Sequence, residues 1–192
     1  MVPVKILILG SQKTGKTALC VRFMTKRFIG DYDNKKDAVE WWTRKLWKWR
    51  FWIYLENSVS LLESSILWAD GFLLLYSITQ RLSFLEIPGL KRLIDQTKKS
   101  LVVPTVLVGN KADLEIGREV TTEEGQKLAE DLRCSFKELS VAEAVLAVEA
   151  AVIQLIRMVL DQQRPLPDRR SYMLTVRHAL TRKLTRSKTM QW

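Results

Sequence analysis

The chain has 192 residues, 47% of them hydrophobic, and a net charge of +10. That length suits one domain with a tail. No apolar run approaches the ~18 residues of a membrane span. Only two cysteines occur, Cys20 and Cys134, without paired spacing, which excludes a disulfide scaffold and points to a reduced cytoplasmic chain.

The charge is uneven. Residues 162–192 carry eight Arg or Lys against one Asp, hence +7, leaving +3 for the body. A basic tail on a near-neutral body argues for a tethered electrostatic contact and against a nucleic-acid-binding domain. The start Met1-Val2-Pro3 runs straight into an apolar strand, so no signal peptide is expected. The lone His178 lies in the basic tail, where a surface position is expected and no metal or catalytic role.

The first predicted strand is Val4–Leu9. It leads into Gly10-Ser-Gln-Lys-Thr-Gly15-Lys16-Thr17, and then into Ala18–Met24, which repeats at helical spacing. Strand, glycine loop and helix form the context in which G-x-x-x-x-G-K-[ST] binds phosphate. Gly10 and Gly15 permit backbone conformations closed to other residues, so successive N–H groups can curl around an anion. The helix start adds partial positive charge. Lys16 would reach the β- and γ-phosphates, and the Thr17 hydroxyl would bind Mg²⁺. The predicted phosphate set is Gly10, Ser11, Gln12, Lys13, Thr14, Gly15, Lys16, Thr17 and Ala18, with Thr17 as the metal ligand.

The helix Gly15–Lys26 is expected to end in a loop over residues 28–37, rich in Gly, Asp and Asn. Glu40–Glu56 holds five of the seven tryptophans, which argues for two strands, although no Gly, Pro, Asn or Asp between Trp41 and Tyr54 marks a turn. Residues 57–70 read as a short irregular helix. Gly71–Tyr76 is a buried strand. Ser83 is a candidate cap for a helix to Lys99 that Pro88-Gly89 should interrupt. Leu101–Gly109 is a further buried strand. Thr121 or Thr122 starts a helix to Leu132, Cys134–Leu139 is a short strand, and Val141–Gln162 is a long apolar helix closed by Pro165 and Pro167. Alternating strands and helices imply a largely parallel α/β sheet with its ligand at the carboxyl ends of the strands.

Asn110-Lys111-Ala112-Asp113 follows the strand ending at Gly109, with Leu114 next. A carboxylate beside a purine accepts two hydrogen bonds from guanine, N1–H and the 2-amino group. Adenine lacks both donors and would leave the acid unpaired, so Asp113 selects guanine. Asn110 can bond the base edge, and the Lys111 stem can cover the ring.

With both motifs in place, residues 2–161 resemble the Ras superfamily of small GTPases. Val21-Arg-Phe-Met-Thr-Lys-Arg-Phe-Ile-Gly-Asp-Tyr-Asp33, Trp68-Ala-Asp-Gly-Phe72 and Glu124-Gly-Gln-Lys-Leu128 are similar to the subgroup around the Ras-related and estrogen-regulated growth inhibitor and its growth inhibitor-like relatives. The resemblance implies a three-layer P-loop NTPase G domain over residues 1–163: a six-stranded, mostly parallel sheet with five helices. It implies that Phe28 packs on the guanine. It also implies that Glu138-Leu-Ser-Val-Ala142 is the last nucleotide loop, with Ser140 supporting Asp113 and the Val141 or Ala142 N–H meeting the guanine carbonyl. Relatives usually read Ser-Ala there, so Val141 is a departure.

Larger departures fall on hydrolysis. Asn34-Lys35-Lys36 stands where the family has a Thr that senses the γ-phosphate, and no hydroxyl follows until Thr43. The family's Asp-x-x-Gly-Gln is absent from Ile53–Ser60. Leu55 stands for the Asp, and a register shift offers only Glu56 as a catalytic stand-in. Gln12 replaces a Gly beside the γ-phosphate, where bulk obstructs water and an arginine finger. The sequence thus predicts a monomeric, cytoplasmic guanine-nucleotide-binding protein that takes GTP or GDP with weakly held Mg²⁺. It would signal through protein effectors or regulators, with weak or lost hydrolysis. The alternatives are a slow but genuine GTP hydrolase and a nucleotide-free scaffold.

Residues 164–192 form the expected tail. Met173, Val176, Leu180 and Leu184 recur at helical spacing among Arg177, Arg182, Lys183 and Arg186. Either this stretch is a solvated tail, or 171–188 is a basic amphipathic helix in weak contact with an anionic membrane or an acidic partner. The ending Met190-Gln191-Trp192 lacks a C-a-a-X box, so no prenyl anchor is expected.

Overall fold

The computed structural model describes residues 3–28, 38–42, 49–54, 59–100 and 102–164. The elements run β1 (Val4–Leu9), α1 (Lys16–Thr25), β2 (Ala38–Trp42), β3 (Trp49–Tyr54), α2 (Val59–Trp68), β4 (Gly71–Ser77), α3 (Arg81–Leu85), α4 (Ile87–Lys98), β5 (Thr105–Asn110), a 3-10 turn at Glu115–Gly117, α5 (Thr122–Asp131), β6 (Ser135–Glu138) and α6 (Val145–Gln163). The expected tail helix at 171–188, Pro165 and Pro167 lie outside the described residues.

Six strands form one sheet in the order β2-β3-β1-β4-β5-β6. Only β2 is antiparallel to its neighbour, pairing Trp41 with Phe51. β1, all apolar but for Lys5, lies between β3 and β4, and β4 is buried along its whole length. Such runs need cover on both faces, because successive side chains point to opposite sides. Leu7, Leu9, Phe72, Leu74 and Leu107 pack with Ile66, Phe84, Ile94 and Ala129 of α2 to α5. On the other face, Leu155 and Val159 of α6 lie against Gly71, and Phe23 of α1 meets Phe51 at 5.4 Å between ring centroids. This is the expected three-layer sheet. The chain leaves β1 toward β3 and leaves β4 toward β5, so the crevice for a ligand opens at the carboxyl ends of β1 and β4.

Several element boundaries differ from the sequence reading. Ser83 does not cap a helix; it sits inside α3, where its Oγ accepts the Ser77 N–H at 3.0 Å and donates to the Gln80 carbonyl at 2.7 Å. Pro88 falls in the first turn of α4, where its missing N–H costs no helical bond, so the interruption separates α3 from α4. The five expected helices therefore appear as six. β5 begins at Thr105, just after Pro104, rather than at Leu101. α2 is a regular helix. Its C-terminus receives the Lys98 ammonium of α4, which donates to the carbonyls of Leu67 and Ala69.

Thr121, the first of the two expected caps, closes a reciprocal box. Its side chain accepts the Glu124 N–H, and the Glu124 carboxylate accepts the Thr121 N–H at 2.9 Å. Thr121→Ala should lower stability by about 1 kcal/mol. Urea unfolding checks this: the midpoint should fall with the slope unchanged.

Candidate functional site

The loop after β1 takes a shape that its two glycines make possible. Gly10 has φ +145°, and a Cβ there would stand 2.0 Å from the Leu75 carbonyl oxygen of β4. Gly15 has φ +97°, and a Cβ would stand 2.3 Å from Asn110 Nδ2. Both positions therefore exclude a side chain on backbone conformation and on space. Between them Lys13 also takes the left-handed conformation, at φ 62°. Thr14 is buried and donates to the Ser11 carbonyl at 2.9 Å. The loop is thus closed by its own hydrogen bonds.

Lys16 folds back over that loop. Its ammonium donates to the Gly10 and Ser11 carbonyls, both at 2.8 Å, and the residue is only 5% exposed. Burial pushes its pKa down to about 8, against the opposing pull of the Glu86 carboxylate. Above it α1 begins with no side-chain cap and no acid in its first turn. The N–H groups of that turn, the helix dipole and the Lys16 ammonium converge with no side-chain cap and no acid in the turn itself, which suits a phosphate. Thr17 is half-buried in the same turn; Gln12 and Lys13 are exposed at the loop's tip, and Ala18 is buried behind it. No group of three His, Cys, Asp or Glu able to hold a metal occurs among the described residues.

Asn110 ends β5 and joins the two motifs. It is 3% exposed. Its amide donates to the Thr14 carbonyl at 2.8 Å, and its Oδ1 accepts the Val141 N–H at 3.0 Å. The residue thereby ties the phosphate loop to the last loop of the site, and its Nδ2 keeps a second hydrogen for the expected base edge. Lys111 then turns the chain at φ 70°, the Leu114 N–H closes that turn on the Lys111 carbonyl at 2.9 Å, and the Ala112 N–H reaches Leu139 at 3.3 Å. This leaves Asp113 and Leu114 exposed at the strand ends.

In the last loop, Val141 donates its N–H to Asn110, Glu143 to Ser140 Oγ at 3.2 Å, and Ala144 to the Ser140 carbonyl at 2.9 Å. Of the four successive N–H groups from 141 to 144, that of Ala142 alone has no acceptor among the described residues. The same bonds delay α6 to Val145, four residues later than its apolar pattern suggests. Ser140 is buried and its Oγ accepts the Glu143 N–H, which leaves its hydroxyl hydrogen to donate; no hydrogen bond joins it to Asp113 among the described residues. Phe28, the residue expected to pack on the base, is 43% exposed. Glu56, Thr43, Leu55 and Asn34-Lys35-Lys36 lie outside the described residues.

Two residues here escaped the sequence reading. Glu86, at the junction of α3 and α4, accepts the Ser11 hydroxyl at 2.5 Å; nothing in its sequence neighbourhood signals that contact. Arg22, a long cation following the buried run Leu19–Val21, reaches the carbonyls of Ala142 and Glu143. The polar break in an apolar helix face was the available sign.

The Ras family pattern matches residues 56–161, from α2 onward. The chain is 40% identical over 151 residues to the Ras-related and estrogen-regulated growth inhibitor of Homo sapiens, covering 71% of each chain. It is 40% identical over 183 residues to the Ras-related and estrogen-regulated growth inhibitor-like protein of Bos taurus, covering 88% of each. A Ras-like protein family member 11A-like of Danio rerio is 38% identical over 168 residues, covering 79% of this chain and 66% of its own length.

With Lys16 near pKa 8, about half of the empty chains carry it neutral at pH 8. A bound diphosphate restores the ammonium, so binding of GDP at pH 8 should take up about half a proton and affinity should fall from pH 7 to 9. Calorimetry in two buffers of different ionisation enthalpy reads this directly; identical heats would refute it. The stability term has the opposite slope. The folded pKa lies below the unfolded one, so the unfolded chain holds more protons between about pH 8 and 10.5, and this group's contribution to stability rises across that window.

Proposed function

The chain belongs to the Ras family, and on that premise we propose that it binds GDP and GTP while hydrolysing GTP weakly or not at all, acting through the proteins it contacts. One observation carries the reading: Lys16 lies across the loop carbonyls beneath an uncapped helix start, and Asn110 holds that loop to the Asp113 and Ala142 loops. Phosphate donors and base-reading groups are thus joined before any ligand arrives. The residues fit a guanosine diphosphate: backbone N–H groups and Lys16 for the phosphates, Asp113 for N1–H and the 2-amino group, the Ala142 N–H for the carbonyl, and Phe28 for the ring.

Magnesium is a different matter. Thr17 would hold it, and the metal would neutralise charge between phosphates. With no acidic partner beside Thr17 in the first turn of α1, the ion would depend on the nucleotide for most of its ligands. Turnover needs a positioned water. The sequence has Leu55 for the family's Asp, no Gln between residue 12 and residue 80, and Gln12 at the loop tip. Those losses remove the groups that orient water and leave the groups that bind.

Fluorescent GDP and GTP should bind the full chain at micromolar concentration or tighter, and removing Mg²⁺ should weaken binding only modestly. Single-turnover hydrolysis should stay below about 3 × 10⁻⁴ s⁻¹, the intrinsic rate of Ras. Faster turnover, lost on Glu56→Ala, would establish the hydrolase instead. Asp113→Asn should weaken GDP roughly 100-fold or more and admit xanthosine diphosphate, since an amide faces the guanine donors with the wrong polarity.

A further inference from the structure

We infer that Arg22 is a positioning residue for the base-reading loop, making α1 a strut between the phosphate end and the base end of the pocket. The inference rests on the proposed guanine-nucleotide site and adds a residue to it that contacts no ligand. Arg22 lies in the last turn of α1, at the opposite end from Lys16 and Thr17. Its Nη2 donates to the Ala142 carbonyl at 3.1 Å and to the Glu143 carbonyl at 3.3 Å, 120 residues along the chain. Its Nε is buried with no partner. A cation accepted into such surroundings with one donor unsatisfied is costly, so its two bonds must be made in this geometry or not at all.

The consequence follows peptide by peptide. The unit joining Ala142 to Glu143 has its carbonyl held by Arg22 and its N–H held by Ser140 Oγ. The next unit, Glu143 to Ala144, has its carbonyl held by Arg22 and its N–H by the Ser140 carbonyl. The unit before, Ser140 to Val141, has its N–H held by Asn110. Three of the four peptide planes are thus anchored, and the one left between them, Val141 to Ala142, presents the uncommitted N–H. Without Arg22, two planes lose an anchor and the Ala142 N–H can swing. Asn110 would still hold Val141, so the loop would loosen rather than detach.

A neighbouring contact supplies the control. Lys26, one turn later on the same helix, pairs with Glu149 of α6 across half-exposed side chains. It ties the end of α1 to α6 without touching the loop, and an exposed pair of this kind contributes little.

Release of N-methylanthraniloyl-labelled GDP from the full chain, chased with excess GDP, tests the assignment. Arg22→Ala should speed release about tenfold, the worth of one charge-assisted hydrogen bond. Arg22→Lys, which can reach one carbonyl, should recover part of it, and Lys26→Ala should leave release unchanged. Arg22→Gln serves where the alanine variant fails to fold. Inosine diphosphate, which keeps the carbonyl and lacks the 2-amino group, should be released faster by the same factor as GDP. Unchanged release from Arg22→Ala or Arg22→Gln overturns the inference. So does an equal effect of Lys26→Ala, which would mean general loosening of α1 against α6, and so does a change in the GDP to inosine diphosphate ratio. A wild-type chain that binds no GDP fails earlier, and takes the proposed nucleotide site with it.

Discussion

The pocket depends on a buried amide. Asn110 stands at the end of β5 with its Nδ2 on the Thr14 carbonyl and its Oδ1 on the Val141 N–H, joining segments that are 96 and 31 residues away. Withdrawing it strands a buried carbonyl and a buried N–H, each at about 1–3 kcal/mol. It also explains why position 15 tolerates no side chain, because the amide occupies the space a Cβ would need. The phosphate loop is therefore shaped partly from within, by its glycines and Thr14, and partly from a strand end far along the chain.

That arrangement places a cation where water would not leave one. Lys16 is buried against two backbone carbonyls, which lower the cost of its charge without removing it, and burial still draws its pKa down to about 8. A carboxylate could have neutralised it outright. Glu86 is near enough to pull in that direction, yet its hydrogen bond goes to the Ser11 hydroxyl. The loop keeps an under-compensated positive centre beside uncapped helix N–H groups, and an incoming phosphate completes the electrostatics that the fold leaves open.

Much of this was legible in the residues. The glycine spacing located the loop, the alternation of apolar runs located the parallel sheet, and the pair Thr121-Thr122 located a helix start to within one residue. What was illegible has one physical character: it depends on which distant atoms meet. The sequence around Asn110 offers only Lys111 and Asp113 as neighbours; the fold alone brings Thr14 and Val141 to the two ends of its side chain. Ser83 reads as a cap until the Ser77 N–H claims its hydroxyl. The apolar pattern of α6 runs back to Val141, but periodicity cannot register that those N–H groups are already engaged by Asn110 and Ser140. The pairing of β2 with β3 occurs without a Gly or Pro turn signal between them in the sequence.

The same distinction bears on why binding and hydrolysis can part company in one chain. Gly10, Gly15, Lys16 and Asn110 are locked to the fold's own backbone by close approach or by hydrogen bonds, so altering them damages the protein as well as the pocket. The departures from the family pattern fall at Asn34-Lys35-Lys36 and Leu55-Glu56, in the connections between α1 and β2 and between β3 and α2. Changes at those positions can abolish water activation while leaving the diphosphate cradle and the purine reader intact. Gln12 fits the same account: it lies in the phosphate loop yet is exposed at the tip, so bulk there leaves the loop's own hydrogen bonds untouched. On the proposed function, a chain built this way can lose turnover before it loses its ligand.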